Sequence, residues 1–318
     1  MIPSDAIKIS VVVPIHNEQE SIFLLIDGII KSLHSYQFEI IIIDDGSTDG
    51  SNQSVFSYND SRIVLIELRK RYGQSIALAT GINYTSGDYI ITMDGDLQND
   101  PKDIPLLLKK ALKEKCDLVT GIRTDRKDKL LRILPSQLAN AIVRLITSLK
   151  VKDLGCGLKV FTSELAKSLN FYGEQHRYIT LIAHLAGAKI FELPIKHHPR
   201  RYGKSKYGFN RTYRVIGDLI IILFQKKYLN RFLRLFGQSG VLLCFLGLLI
   251  GLYLLFLSLV GEHILGTTLF WIGLIFVFLG VHLFSLGLLY NIRIRSFHEL
   301  KSQNTFHIKK ITTLHDGS

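Results

Sequence analysis

Two long uncharged runs near the C-terminus constrain this chain more than any other feature. Residues 239–261 carry no charged side chain, and residues 264–292 carry none apart from the ionisable His282. Each run exceeds the roughly 20 residues a helix needs to cross the hydrocarbon core of a bilayer. A buried core helix of that length would show a polar stripe, and neither run has one. Only Glu262 and His263 separate them, so the pair reads as a tight helical hairpin. Lys226, Lys227, Arg231 and Arg234 precede it, and Arg293, Arg295, Lys301, Lys309 and Lys310 follow it. Basic flanks on both sides predict that both termini and everything before residue 236 are cytoplasmic, in a multi-pass protein of the inner (plasma) membrane.

The hydrophobic fraction of 47% is therefore uneven, with a soluble part ahead of a membrane part. The formal net charge of +12 admits nucleic acid, an anionic membrane or phosphorylated substrates. So many of the cations flank the apolar runs that lipid accounts for them, and nucleic acid is not an expected partner. Three scattered cysteines, Cys116, Cys156 and Cys244, show neither disulfide nor metal spacing and fit a reducing compartment. MIPSDAIKIS has no basic stretch followed by an apolar core, so no cleaved signal peptide is expected. Residues 213–236 mix an apolar stretch with Arg214, Lys226, Lys227, Arg231 and Arg234. They predict helices lying in the membrane interface or an amphipathic helix packed on the soluble domain.

From residue 8 to 120, apolar runs alternate with helical patterns. Residues 9–13, 39–43, 63–68, 88–93 and 118–120 predict strands, and residues 19–33, 74–84 and 104–115 predict helices. The rhythm implies an α/β fold with a mostly parallel sheet covered by helices, whose ligands bind beyond the carboxyl ends of the strands. The polar clusters fall at those ends. One is Asp94-Gly95-Asp96, with Leu97-Gln98 after it. Two carboxylates one residue apart suit Mg²⁺ or Mn²⁺ bridging a diphosphate, although a solvated turn would give the same pair. The others are Pro14-Ile15-His16-Asn17-Glu18 and Asp44-Asp45-Gly46-Ser47. There a carboxylate can accept from a base N–H or a ribose hydroxyl, or a side chain can cap a helix. His16, His176, His197 and His198 lack metal spacing and read as structural.

The set VVVPIHNE, IIIDDGSTDG, RYGQSIAL, DGDLQNDP, GCGLKVF and RRYGKSKYG resembles glycosyltransferase family 2, of the Rossmann-like GT-A fold. More narrowly it is similar to the dolichyl-phosphate mannose synthases and the bacterial bactoprenol (undecaprenyl-phosphate) glucosyltransferases. The resemblance implies that Pro14, Glu18 and Asp45 hold the base and ribose of a nucleotide sugar. It places Asp94, Asp96 and Gln98 at the metal and diphosphate, with Asp94 and Asp96 as metal ligands. Arg201, Ser205 and Lys206 match a basic loop near the donor phosphates. Arg123, Arg132 and Ser136 match groups that hold the acceptor lipid phosphate, and Asp153 matches an active-site aspartate. Gly95 stands where many relatives have alanine, a change expected to matter little. Gly157-Leu158-Lys159 replaces the more usual Gly-Phe-Arg, which leaves the role of Lys159 open.

A lipid phosphate is already an anion and needs cationic positioning more than a general base. Arginine forks suit that task, and Arg123, Arg126, Lys127, Lys129 and Arg132 form a basic cluster. The expected activity is inverting transfer of a hexose, glucose from UDP-glucose, to undecaprenyl phosphate or a similar polyprenyl phosphate. A mannosyl or amino-sugar transferase using GDP-mannose or another UDP-sugar is the alternative, and a membrane-anchored nucleotide-sugar-binding protein is the non-enzymatic one. With no Q-x-x-R-W motif and two spans, a processive polysaccharide synthase is not expected. The expected layout is a catalytic domain over 1–210, juxtamembrane helices over 211–236, two spans within 237–292 and a tail over 293–318. Small residues in the spans, Gly247, Gly251, Gly273 and Gly280, allow close helix packing, and the resemblance implies a homo-oligomer, a tetramer among the arrangements.

Overall fold

The structure is a computed structural model, and it describes residues 7–124, 149, 151–169, 175–199, 233–261, 265–299 and 308–314. They divide into two units, one within Met1–Leu219 and Phe306–Ser318, the other within Ile220–Thr305.

The first unit is built on one sheet. Its strands are β1 (Lys8–Ile15), β2 (Gln37–Asp44), β3 (Ile63–Leu68), β4 (Tyr89–Thr92), β5 (Leu118–Thr124), β6 (Lys159–Thr162), β7 (Ile190–Lys196) and β8 (Ile308–Thr313). They lie in the order β7-β5-β6-β4-β1-β2-β3-β8. The pairs β1–β2, β1–β4, β2–β3 and β5–β7 are parallel, as the alternation of strands and helices predicts. The register sets Val12 beside Ile41 and Thr92, and Ile15 beside Asp44. Val11-Val12-Val13 and Ile40-Ile41-Ile42-Ile43 are buried throughout, because both faces of a parallel sheet are covered. The cover comes from α1 (Gln19–Ser32), α3 (Gln74–Asn83) and α4 (Ile104–Glu114), with the short α2 (Ser51–Phe56), α5 (Ser163–Ser168) and α6 (Ile179–Leu185). In α1 the buried residues Ile22, Leu25, Ile26 and Ile29 fall at helical spacing on one face.

Two strands, β6 and β8, depart from the parallel pattern. β6 runs antiparallel between β4 and β5 and carries the Gly155-Cys156-Gly157 loop into the sheet. β7 extends the sheet on one side. On the other side β8 pairs antiparallel with β3, with Val64 opposite Thr313 and Glu67 opposite Lys310. Lys309 and Lys310 were expected at the membrane flank. Instead the Lys309 ammonium lies 3.4 Å from the Glu67 carboxylate, and Lys310 sits over the Phe56 ring at 5.9 Å. These two cations cover an otherwise open sheet edge. The segment 293–318 is accordingly not a plain tail.

The second unit contains α7 (Gln238–Leu259), entered through a π-helical turn at Leu233–Gly237, and α8 (Thr268–Glu299). Leu235–Leu259 and Thr268–Tyr290 are long and apolar enough to cross a membrane. The two helices meet along glycines spaced seven apart, Gly240 and Gly247 on α7, Gly273 and Gly280 on α8. A β-carbon on Gly240 would lie 2.7 Å from the Gly280 carbonyl oxygen and from the Phe284 nitrogen. Gly251, which the sequence groups with them, has open space instead, and Gly240 joins the seam. The large side chains Phe245, Leu248, Phe256, Trp271, Phe278 and Leu289 point outward and exposed. The juxtamembrane helices expected over 211–236 lie outside the described residues up to 232.

Candidate active site

The carboxyl ends of β1, β2 and β4 adjoin, so the loops after them form one polar surface. Asn17, at φ 55°, turns the chain out of β1, and its N–H donates to Ser47 Oγ at 2.9 Å. The Glu18 N–H donates to Ser51 Oγ, while its carboxylate accepts from Ser21 Oγ at 3.0 Å. Glu18 thus ties the start of α1 to the start of α2. Pro14 is buried in β1 opposite Ile43.

Asp45 is buried just beyond β2, and both its oxygens are engaged. Oδ1 accepts the Tyr72 N–H at 2.6 Å and Oδ2 accepts the Gly73 N–H at 2.9 Å. Gly46 makes this approach feasible: it adopts φ +66°, and a β-carbon there would stand 2.8 Å from the backbone of Lys70 and Arg71. Asp45 therefore organises the loop before α3, a contact no motif announces.

The Asp94-Gly95-Asp96 loop follows β4. Asp94 Oδ1 accepts from Gln74 Nε2 at 2.7 Å, and Asp96 Oδ1 accepts the Gln98 N–H at 3.2 Å. Leu97 takes φ 59° to allow this tight turn. A β-carbon on Gly95 would lie 2.9 Å from Ile15 Cγ2, and 3.3 Å from the Pro14 carbonyl oxygen. Alanine at 95 would therefore press on the end of β1, so glycine there is not the neutral choice the sequence suggests. A side chain on Gly157 would collide with the Asp94 carboxylate. The structure thereby sets Pro14, near the end of β1, beside the adjoining strand-end loops that carry Glu18, Asp45, Asp94, Asp96 and Gln98.

On the far side of β4, Arg123 ends β5 and Asp153 precedes β6. Arg123 Nε donates to Asp153 Oδ2 at 2.7 Å and Nη2 donates to Oδ1 at 2.8 Å. Burial would push the guanidinium down, but the hydrogen bonds and charge of Asp153 outweigh it and hold Arg123 above its ordinary value. Glu192 of β7 accepts the N–H groups of Lys152 at 2.9 Å and Asp153 at 3.1 Å, fixing the loop that carries the aspartate. Burial raises the Glu192 carboxyl above its usual range. Lys159 is fully enclosed and donates to the Cys156 carbonyl. Burial pushes its ammonium down, against the opposing charges of Asp94 and Asp153. Lys159 thus pins the glycine-rich loop beside Asp94. Glu192 and Lys159 were missed in these roles, and the available signal was an acid and a base inside otherwise apolar strands. Arg132, Ser136, Arg201 and Lys206 lie outside the described residues.

The donor set suits a divalent cation. Two carboxylates and a carboxamide oxygen source in one turn are hard ligands of the kind Mg²⁺ and Mn²⁺ take. Among the described residues no group of three His, Cys, Asp or Glu is gathered to hold a metal alone. Such a cation would share its shell with substrate phosphate oxygens.

Residues 10–169 match the glycosyl transferase family 2 profile. The chain is 36% identical over 320 residues to the dodecaprenyl-phosphate galacturonate synthase of Rhizobium johnstonii, covering 97% of this chain and 94% of that one. This chain belongs to glycosyltransferase family 2. Another relative, the undecaprenyl-phosphate 4-deoxy-4-formamido-L-arabinose transferase of Yersinia pestis, is 32% identical over 311 residues, 96% of this chain and 93% of its own. Among solved structures, glucosyl-3-phosphoglycerate synthase from Mycobacterium tuberculosis, crystallised with Mn²⁺, UDP-glucose and phosphoglyceric acid, superimposes with a TM-score of 0.57 at 23% identity. The match covers 69% of this chain and 79% of that one. The sheet of this family 2 glycosyltransferase is thus of the GT-A type.

Proposed function

We propose that this glycosyltransferase moves a sugar from a UDP-sugar to a polyprenyl phosphate, with inversion at the anomeric carbon. The observation that carries this is end-to-end similarity: two relatives named for polyprenyl-phosphate substrates match 96% or more of the chain, apolar helices included. Their sugars are galacturonate and 4-deoxy-4-formamido-L-arabinose, so the donor proposed here is a uronic acid or amino sugar on UDP rather than the UDP-glucose first expected.

The chemistry asks little of a base. An oxygen of the lipid phosphate attacks the anomeric carbon. The bond from that carbon to the diphosphate breaks, and its electron pair leaves on UDP. No proton need move, and one displacement inverts the centre. A divalent ion held by Asp94 and Asp96, with Gln98, would neutralise charge on the departing diphosphate; Mn²⁺ in the M. tuberculosis synthase supports a divalent ion without choosing between Mg²⁺ and Mn²⁺. Asp45 and Glu18 shape the pocket for base and ribose. Arg123 has two nitrogens on Asp153, and its Nη1 group remains to meet the acceptor phosphate. Arg132 and Ser136 are proposed to assist there, and Arg201 and Lys206 to close on the donor phosphates.

The hairpin of α7 and α8 is proposed to anchor the enzyme in the inner membrane. The cytoplasmic placement of both hairpin ends is supported by the basic flanks. It is also supported by connectivity, since β8 follows the hairpin and pairs with β3, which precedes it. The test is purified full-length protein with undecaprenyl phosphate, Mg²⁺ or Mn²⁺, and a panel of UDP-galacturonic acid, UDP-4-deoxy-4-formamido-L-arabinose, UDP-glucose and GDP-mannose, read by mass spectrometry of the lipid. A lipid-linked uronic acid or amino sugar is expected. Absence of a lipid-linked product with every donor would refute the proposal.

A further inference from the structure

The segment Arg71-Tyr72-Gly73-Gln74-Ser75 has no role in the chemistry above, yet it touches both carboxylate clusters. Its backbone N–H groups at Tyr72 and Gly73 occupy the two oxygens of Asp45. The next residue, Gln74, donates to Asp94 Oδ1 at 2.7 Å. The one after that, Ser75, is fully buried, receives the His176 N–H at 3.0 Å and lies 3.0 Å from His176 Nδ1. Gly73 turns the chain between these contacts at φ +99°, with open space where its β-carbon would be, so glycine serves the backbone angle and not packing. Gln74 then opens α3, whose Gly81 lies directly against Val12 and Ile43 of the sheet. The carboxamide is therefore mounted on a rigid helix and not on a loose loop.

We infer that Gln74 is the positioning residue of the diphosphate site, and that residues 72–74 form a strap that makes Asp45 and Asp94 one nucleotide-binding unit. This rests on the function proposed above. With Oδ1 of Asp94 held by a neutral N–H, the rotation of the carboxylate is fixed and Oδ2 keeps a set direction. The choice of a carboxamide has a physical reason. A lysine or arginine at 74 would also donate to Asp94, but its charge would neutralise the carboxylate and repel a divalent cation. An amide supplies direction and leaves the negative charge intact. The strap also ties occupancy of the base pocket to the diphosphate site, since displacing Tyr72 and Gly73 from Asp45 would drag Gln74 off Asp94.

The test uses full-length protein in detergent and follows Mn²⁺ by electron paramagnetic resonance in the presence of UDP, so neither sugar transfer nor acceptor enters. In Gln74→Ala, Mn²⁺ binding to the UDP complex is expected to weaken about tenfold or more, the size of losing one hydrogen bond to a charged group. The KM for the nucleotide sugar is expected to rise while the KM for polyprenyl phosphate stays unchanged. Gln74→Lys, which keeps a donor and adds a charge, is expected to bind Mn²⁺ at least as weakly. Thermal melting reports folding, and Gln74→Lys serves if the alanine variant does not fold. Wild-type Mn²⁺ affinity in either variant would overturn the inference while leaving the transferase intact. If the wild-type protein itself bound no Mn²⁺ with UDP, the nucleotide site and this inference would fall together.

Discussion

Arg123 and Asp153 form a two-pronged ion pair, Nε to Oδ2 at 2.7 Å and Nη2 to Oδ1 at 2.8 Å, between the end of β5 and the loop before β6. The family resemblance implies different roles for the two residues, one on the acceptor phosphate and one as an active-site aspartate. The geometry makes them a unit in which the aspartate aims the guanidinium. Asp153 is buried, so removing Arg123 takes away the ion pair that balances its charge, a loss of about 3 kcal/mol. Arg123→Ala is therefore expected to lower both the melting temperature and turnover. Arg123→Lys should not rescue turnover, because an ammonium cannot make the two-pronged contact. Melting curves and initial rates check this, and a fully active lysine variant would contradict it.

Asp94 and Asp96 sit half-buried on a surface loop, outside the packed core. Alanine at either position is expected to cut turnover by orders of magnitude with little change in melting temperature. A chelator should abolish product formation in the wild-type enzyme, and added Mg²⁺ or Mn²⁺ should restore it. Full turnover in the chelator would mean the two carboxylates serve another purpose.

Most of the sheet was legible because its parallel strands are continuous apolar runs that stop at polar loops. β3 falls where expected, and β1, β2 and β4 differ by a few residues at their ends. β6 was not legible, since antiparallel insertion into a parallel sheet leaves no periodic mark, and β7 was not, since Glu192 and Pro194 interrupt its apolar run. β8 was hidden by its own lysines, which read as lipid-facing cations until Lys309 is seen beside Glu67. In the site, Asp45, Asp94 and Asp96 stood out as polar residues after apolar runs. Their partners did not, because Gln74 meets Asp94, and Glu192 meets the Asp153 amide, across gaps in sequence that only the folded sheet closes.

The glycine seam of the hairpin offers an internal control. At Gly280 a β-carbon would stand 2.7 Å from both the Cys244 nitrogen and the Gly240 carbonyl oxygen, so nothing flexible can give way. At Gly251 nothing lies within 4 Å. Gly280→Leu is expected to separate α7 from α8 and Gly251→Leu to be tolerated. Crosslinking of the native Cys244, whose Sγ lies 3.7 Å from the Val277 carbonyl, to a cysteine introduced at 277 would report the difference; equal crosslinking in both variants would contradict the seam.

Leu314 is buried at the end of β8, and its N–H donates to the Ile63 carbonyl at 3.1 Å. Leu314→Ala is expected to cost about 2 kcal/mol, the low end for a buried leucine. Deleting residues 306–318 should uncover the β3 edge and promote self-association. Size-exclusion profiles and melting curves of the two variants would check this, and unaltered behaviour of the deletion would mean β8 contributes nothing to the sheet.

Glu39 ties β2 to β1 and to the turn before β4. Its Oε1 accepts from Ser10 Oγ at 2.6 Å and from the Ser86 N–H at 2.7 Å, and Lys8 lies 3.9 Å from Oε2. Burial pushes the carboxyl up, but the hydrogen bonds from Ser10 and Ser86 and the Lys8 charge outweigh it and hold Glu39 below its ordinary value of 4.5. A carboxyl lowered on folding contributes stability that is present above the unfolded value and lost as pH falls through the folded one. Glu39→Gln should therefore melt below wild type at pH 7. The gap should narrow as pH drops beneath about 4.5 and close once Glu39 is protonated in the folded protein. A gap that stays constant from pH 7 downward would show that shape, and not charge, is what Glu39 supplies.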